Sequence, residues 1–158
     1  MKKVLIALDF DPSAQVIAET GFQLAKAMNA QVTLLHVVSD ATYYSSLNYS
    51  PIMGFDSFSN MDIVQTEAFT GLQEAANEFL NKSKQHLGDE TIQTITVGGD
   101  FGDSIIDVAT DINADIIVMG THSRRGLEKI LMGSVAEKVL RKSAVPLFII
   151  PTKQEDKE

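Results

Sequence analysis

ADIIVMGTHSRRGLEKILMGSVAEKVLRKSAVP, from Ala114 to Pro146, reads as a strand, a loop carrying glycine and cations, and a helix in immediate succession. Asp115 to Met119 is a short apolar run rich in branched residues, the pattern of a strand covered on both faces. Gly120 closes it. From Ser134 onward Val135, Val139 and Leu140 recur at helical spacing, and Lys138, Arg141 and Lys142 stand where cations suit a helix C-terminus. Gly133-Ser134 therefore marks a helix N-terminus. The first amides there lack partners within the helix and the dipole is positive, which favours an anion, while a glycine lets a ligand approach the backbone closely. On spacing alone two readings stand side by side: a phosphate cradle, or a turn with a Gly-Ser cap of purely structural purpose.

The preceding residues repeat the strand-then-helix pattern. Lys3 to Leu8 is an apolar strand that stops at Asp9-Phe10-Asp11-Pro12. Asp11 is expected to cap a helix with Pro12 at its first position, and Ala14, Ile17, Ala18, Leu24, Ala25 and Met28 supply its apolar face. Val32 to Val38 is the second strand, ending at Ser39-Asp40. Asp40 to Asn60 mixes Tyr43, Tyr44, Tyr49, Phe55 and Phe58 with Ser, Asn, Gly and Pro without a period, and is read as a long loop: a lid, a partner surface or a poorly ordered insertion. Met61 to Leu87 keeps helical spacing and stops at Gly88. Thr91 to Val97 is a third strand, closed by Gly98-Gly99. A short helix opening at Gly102, Asp103 or Ser104 carries Ile105, Ile106, Val108 and Ala109 into the fourth strand. Val145 to Ile150 is the fifth, and Pro146 near its start suits a sheet edge. Five strands alternating with four helices predict an α/β fold, a parallel doubly wound sheet with helices on both faces, as one domain over 1–151 followed by a charged tail over 152–158.

Composition narrows the function. With 158 residues and 44% hydrophobic content the chain supports one domain with a substantial core. A formal net charge of −8 opposes general nucleic-acid or anionic-membrane binding, because phosphate contacts are made mainly by Lys and Arg. The absence of Cys excludes disulfides, thiolate chemistry and Cys-ligated metals, and suits a reducing cytosol. MKKVLIALDF has too short an apolar run for a signal peptide, and nowhere do 18 apolar residues run together, so a soluble cytoplasmic protein without a membrane partner is expected. No Walker pattern, metal-ligand His spacing or nucleophile elbow is present, and His36, His86 and His122 are far apart. No catalytic residue and no metal site are predicted. His36 reads as a strand-end or core histidine.

Ligands of doubly wound sheets bind at the C-terminal strand ends, where the strand order reverses. Asp9, Val37, Val38, Met119 and Gly120 all fall at such ends and share a crevice with the Gly133-Ser134 helix. Apolar groups there suit a base, and Asp9 a sugar hydroxyl or amine, or else a turn carboxylate.

The ordered set LIALDF, TLLHVV, GGDFGDSI, ADIIVMGTH, LMGSVAEKVL and VPLFII resembles the universal stress protein family from Lys3 to about Ile150. The family's nucleotide-binding branch carries Gly, two residues, Gly, nine residues, then Gly followed by Ser or Thr. Here the series is Gly120, two residues, Ser123, nine residues, Gly133-Ser134, with serine for the middle glycine. The resemblance implies a Rossmann-like sheet of the adenine nucleotide alpha hydrolase type and an adenine nucleotide, ATP with or without Mg²⁺, across the strand ends. Ala7, Leu8, Asp9, Val37 and Met119 would hold the adenine and ribose. Gly120, Ser123, Gly133, Ser134 and Val135 would hold ribose and phosphates, and His122, Arg124 and Arg125 are further phosphate candidates. It also implies a homodimer through Val145 to Ile150 and a stress-response or signalling role. The alternatives are a nucleotide-independent dimeric interaction protein and a slow Mg-dependent ATPase.

Overall fold

A computed structural model of the chain describes residues 1–10, 12–38, 61–121 and 133–152, with 61–70 described by backbone alone. They form β1 (Lys3–Ala7), α1 (Ala14–Ala27), β2 (Gln31–Val38), α2 (Met61–Leu87), β3 (Gln93–Gly98), α3 (Phe101–Asp111), β4 (Ile116–Gly120), α4 (Ser134–Lys142) and β5 (Leu147–Ile150). The predicted alternation is the one that forms. Every strand pair is parallel, and the spatial order is β3-β2-β1-β4-β5. Asp40 to Asn60 and the tail from 153 lie outside the described residues.

The continuous apolar runs follow from burial on two faces. Successive strand residues point to opposite sides. Val4, Ile6, Leu34 and Val118 pack with Ile17, Ala18, Phe22 and Ala25 of α1 and Leu80 of α2. Leu5, Leu35 and Ile117 pack with Ile105, Val108 and Ala109 of α3 and Ala136 and Val139 of α4. A strand alternating apolar with polar would leave one of these helix layers nothing to cover. α1 also approaches the sheet through Gly21, where a Cβ would lie 2.8 Å from Ile6 Cδ1 and 3.0 Å from Val118 Cγ1. A glycine that lowers helix propensity is thus kept for close packing. β3 and β5 are the edges, so Pro146, one residue before β5, sits at an edge as expected, and its carbonyl accepts the Ile117 amide at 2.9 Å.

Several details differ from the sequence reading. α1 begins at Ala14 with Ser13 as N-cap, and the Ser13 carbonyl accepts the Ile17 amide at 3.1 Å. Pro12 therefore lies in the preceding turn, and the expected cap Asp11 is outside the described residues. α3 begins at Phe101, ahead of Gly102, because the Asp100 carboxylate accepts the Asp103 amide at 3.0 Å and caps the helix one turn early. β5 starts at Leu147, two residues later than expected. Leu140, expected on the apolar face of α4, is 53% exposed, and that face is Ala136 and Val139. The α2 stop is as read: Gly88 has φ of 74° and its amide returns to the Lys84 carbonyl at 3.0 Å.

Candidate functional site

The chain builds β2 and β3 on one side of β1, then crosses to build β4 and β5 on the other. β1 and β4 are neighbours, and the helices that follow them leave to opposite faces, α1 onto the Ile6 side and α4 onto the Leu5 side. Diverging connections open a crevice at the C-terminal ends of these strands, the usual place for a ligand in such a sheet.

Ala7, Val37, Met119 and Val135 meet on one side of it. Val37 and Met119 are buried in the cluster on the α3 and α4 face, and Ala7 and Val135 pack against that cluster. They form an apolar wall beside the start of α4. Leu8 is not on it: its side chain lies in the opposite cluster with α1, leaving its backbone to the strand end. The Leu8 amide donates to the Leu35 carbonyl at 2.8 Å, and its own carbonyl accepts from His36 Nδ1 at 2.8 Å. Asp9 is half-buried, and its Oδ1 accepts the Phe10 amide at 2.8 Å, which fixes the carboxylate relative to the strand end.

His36 proves to be a core histidine, 1% exposed, beneath this strand end. A carbonyl can only accept, so Nδ1 carries the hydrogen. Nε2 is buried without a hydrogen-bond partner among the described residues, and the ring contacts Phe10 at 4.4 Å and Phe79 at 5.9 Å between centroids. Burial pushes its pKa down, opposed by the Leu8 carbonyl and the Asp9 charge. The imidazole is held neutral and supports the Leu8-Asp9 backbone from below.

At the start of α4, Gly133 is the N-cap with φ of −69° and ψ of 162°, and no side-chain cap hydrogen bond forms there among the described residues. Any residue can adopt this extended conformation, so backbone freedom is not what glycine provides. The Gly133 amide donates to the Thr121 carbonyl, and its carbonyl accepts the Glu137 amide at 2.9 Å. Helix geometry leaves the Ser134, Val135 and Ala136 amides without acceptors inside the helix, at its positive end. This arrangement suits a phosphate group. Gly120 has a different purpose: a Cβ would lie 2.6 Å from Ile17 Cδ1 and 3.1 Å from Thr152 Cγ2, so its bareness admits α1 and the exit of β5. His122, Ser123, Arg124, Arg125 and Gly126 lie outside the described residues.

The basic residues of α4 are turned away from the crevice chemistry. An open groove of about 380 Å³ runs along its outer flank, lined by Ser134, Glu137, Lys138, Arg141 and Lys142. Lys138 Nζ is 2.7 Å from Asp100 Oδ2 and 3.3 Å from Asp103 Oδ2, Lys142 is 3.5 Å from Asp103, and Arg141 pairs with Glu137. Cations so engaged read as a solvated, salt-bridged face rather than an anion site. The Lys138 stem crosses Gly102, where a Cβ would meet Lys138 Cδ at 2.8 Å. The Asp100 carboxyl is held below the usual carboxylate range, first by the Asp103 amide and then by Lys138. The spacing rule that marks Gly120 and Ser123 passes over Thr121, and nothing in the sequence pairs Asp100 with Lys138. Among the described residues no three His, Asp or Glu converge to hold a metal, and no helix is long and apolar enough to cross a membrane.

Comparison with known proteins shows the family and the fold. The family model described as "Universal stress protein family" matches residues 1–151. Universal stress protein MJ0577 of Methanocaldococcus jannaschii is 30% identical over 157 residues, 96% of each chain. A solved structure of MJ0577 superposes with a TM-score of 0.74 at 28% identity, covering 98% of both chains. Two more distant structures share the fold. One is a universal stress protein in complex with cAMP, with a TM-score of 0.64 at 21% identity, covering 96% of this chain and 98% of that one. The other is the universal stress protein from Archaeoglobus fulgidus in complex with dAMP, with a TM-score of 0.56 at 18% identity, covering 94% and 97%.

Proposed function

Because this chain belongs to the universal stress protein family, we propose that it is a cytoplasmic stress-response or signalling module that binds ATP across the C-terminal ends of β1, β2 and β4. The observation that carries this reading is the start of α4. Three helix amides without intrahelical acceptors open beside the apolar wall of Ala7, Val37, Met119 and Val135, and no side chain of Gly133 competes for them. Phosphates take the Ser134 and Val135 amides, with Gly120, Ser123 and His122 completing that end. The base lies on the wall, and Asp9, beside the Leu8 backbone, takes the ribose or the amine. The complexes of related proteins with cAMP and dAMP support an adenine nucleotide at this level. A triphosphate would bring Mg²⁺ bridging its oxygens rather than a metal held by the protein. Binding, not turnover, is the proposed activity.

Calorimetry with ATP and thermal unfolding with and without it test the reading. A ligand that binds only the folded state at a hundred times its Kd stabilises by about 2.7 kcal/mol, so a clear rise in Tm is expected. No heat of binding and no rise would refute it.

The functional unit is proposed to be a homodimer through the β5 edge. β5 is an edge strand, its sequence LFII is entirely apolar, and Phe148 is 38% exposed. Such an edge invites pairing with its own copy about a two-fold axis. Light scattering should give a dimer for the wild type and a monomer for Phe148→Lys; a wild-type monomer at micromolar concentration would exclude it.

A further inference from the structure

We infer that Thr121, locked by Thr152, is the positioning residue for the anion end of the site; this rests on the nucleotide reading. Thr121 is the first residue beyond β4. Its amide donates to the Ile150 carbonyl at 3.1 Å, extending the β4–β5 ladder by one step. Its carbonyl accepts the Gly133 amide. Its Oγ1 accepts the Thr152 amide at 3.1 Å and shares a hydrogen with Thr152 Oγ1, also at 3.1 Å. One residue thus ties together three chain segments that meet at the crevice: the end of β4, the cap of α4 and the exit of β5.

The hydroxyl matters because it fixes where the carbonyl points. The amide of Thr121 is anchored to β5 on one side, and a β-branched side chain has few rotamers in which to keep both bonds to Thr152. With the amide and side chain held, only rotation about the Cα–C bond remains, and the bond to the Gly133 amide takes it up. The Thr152 methyl also fills the space beside Gly120, 3.1 Å from where a Cβ would stand. Without the hydroxyl pair, the exit of β5 loosens, the Thr121 carbonyl swings, and the Ser134 to Ala136 amides no longer converge on one phosphate position. Charge-assisted hydrogen bonds depend on that aim.

The experiment uses the full chain with Thr121→Val, Thr152→Val, both together, and Thr121→Ser. Hydrogen exchange of the Gly133 amide is followed by NMR without nucleotide, and ATP affinity by calorimetry. Each valine variant should speed Gly133 exchange and weaken ATP on the order of tenfold. The double variant should lose no more than Thr121→Val alone, which already removes both bonds to Thr152, whereas Thr152→Val keeps its amide bond to Thr121 Oγ1, and Thr121→Ser should restore both readouts. If Thr121→Val does not fold, Thr152→Val, placed beyond the sheet, carries the test. Unchanged Gly133 exchange in the valine variants would refute the brace. Faster exchange with ATP affinity intact, or losses that add, would refute the positioning role. A folded wild type that binds no ATP would instead refute the nucleotide reading, and the positioning role with it, leaving the exchange result to judge the brace alone.

Discussion

The N-termini of α3 and α4 are bridged by Lys138 and finished in opposite ways. At α3 the Asp100 carboxylate accepts the Asp103 amide and then receives the Lys138 ammonium at 2.7 Å, so donor, dipole and charge are all answered from within the chain. At α4 the cap is a glycine without a side chain to offer, in a conformation that Asp or Ser would adopt without strain. The first is built for stability. The second leaves unused the stabilisation that its neighbour takes, which is what the proposed phosphate site requires.

The sharpest way to break the contrast is Gly133→Asp, which gives α4 the cap that α3 has. ATP affinity should fall about a hundredfold or more, roughly 2.8 kcal/mol, because a carboxylate would take the place of the phosphate. The unliganded Tm should hold or rise slightly, since Asp exceeds Gly at an N-cap by only a few tenths of a kcal/mol. Calorimetry and thermal unfolding check both halves, and retained affinity would move the phosphates away from α4. The converse is Asp100→Ala, which should cost about 1 kcal/mol in denaturant unfolding and leave ATP affinity near wild type. A variant as stable as wild type would show that the Asp103 amide finds another acceptor.

The smallest effect is in pH. A carboxyl held below its ordinary range in the folded chain contributes stability that is present above its unfolded pKa, about 3.9, and is lost as pH falls through the lower folded value. Asp100→Asn keeps a capping oxygen without the charge. The wild-type advantage over it should therefore be constant near neutrality, begin to shrink near about pH 4 and vanish only below the lower folded value. Parallel denaturation curves at every pH would deny the carboxylate any charge-dependent share. High salt should shrink the same advantage, since solvent reaches both partners.

Much of the architecture was legible because burial on both faces leaves an unmistakable trace. Val4 to Ile6 and Ile117 to Met119 are apolar at every position, and only a sheet with two helix layers needs that. The strand ends carrying Ala7, Val37 and Met119 could be gathered from the same pattern, since parallel strands all point their C-termini one way. Details that depend on a partner far along the chain could not. Asp100 is the cap, accepting the Asp103 amide, and Lys138, far along the chain, closes on both carboxylates. Gly120 carries the motif position, yet Ile17 and Thr152 press on it. Leu8 and Ala7 are adjacent in sequence and end on opposite faces. Thr121 is one unremarkable residue until Ile150, Thr152 and Gly133 come to it. Lys138 and Lys142 read as cations suited to the helix dipole, and only the fold reveals the acids of α3 that they meet.

The order in which the sheet is written along the chain has a consequence for how the crevice comes into being. β1 is joined to β2 by contacts such as that of Leu8 with His36, 28 residues apart, but to β4 by contacts such as that of Lys3 with Asp115, 112 residues apart. Closing a loop four times longer costs about 1.2 kcal/mol more in chain entropy. A nascent chain would therefore assemble β1, β2 and β3 first, leaving one edge of its central strand bare until β4 arrives. The β1–β4 seam is then the last part of the sheet to close, and any ligand bound there stabilises the step that completes the fold.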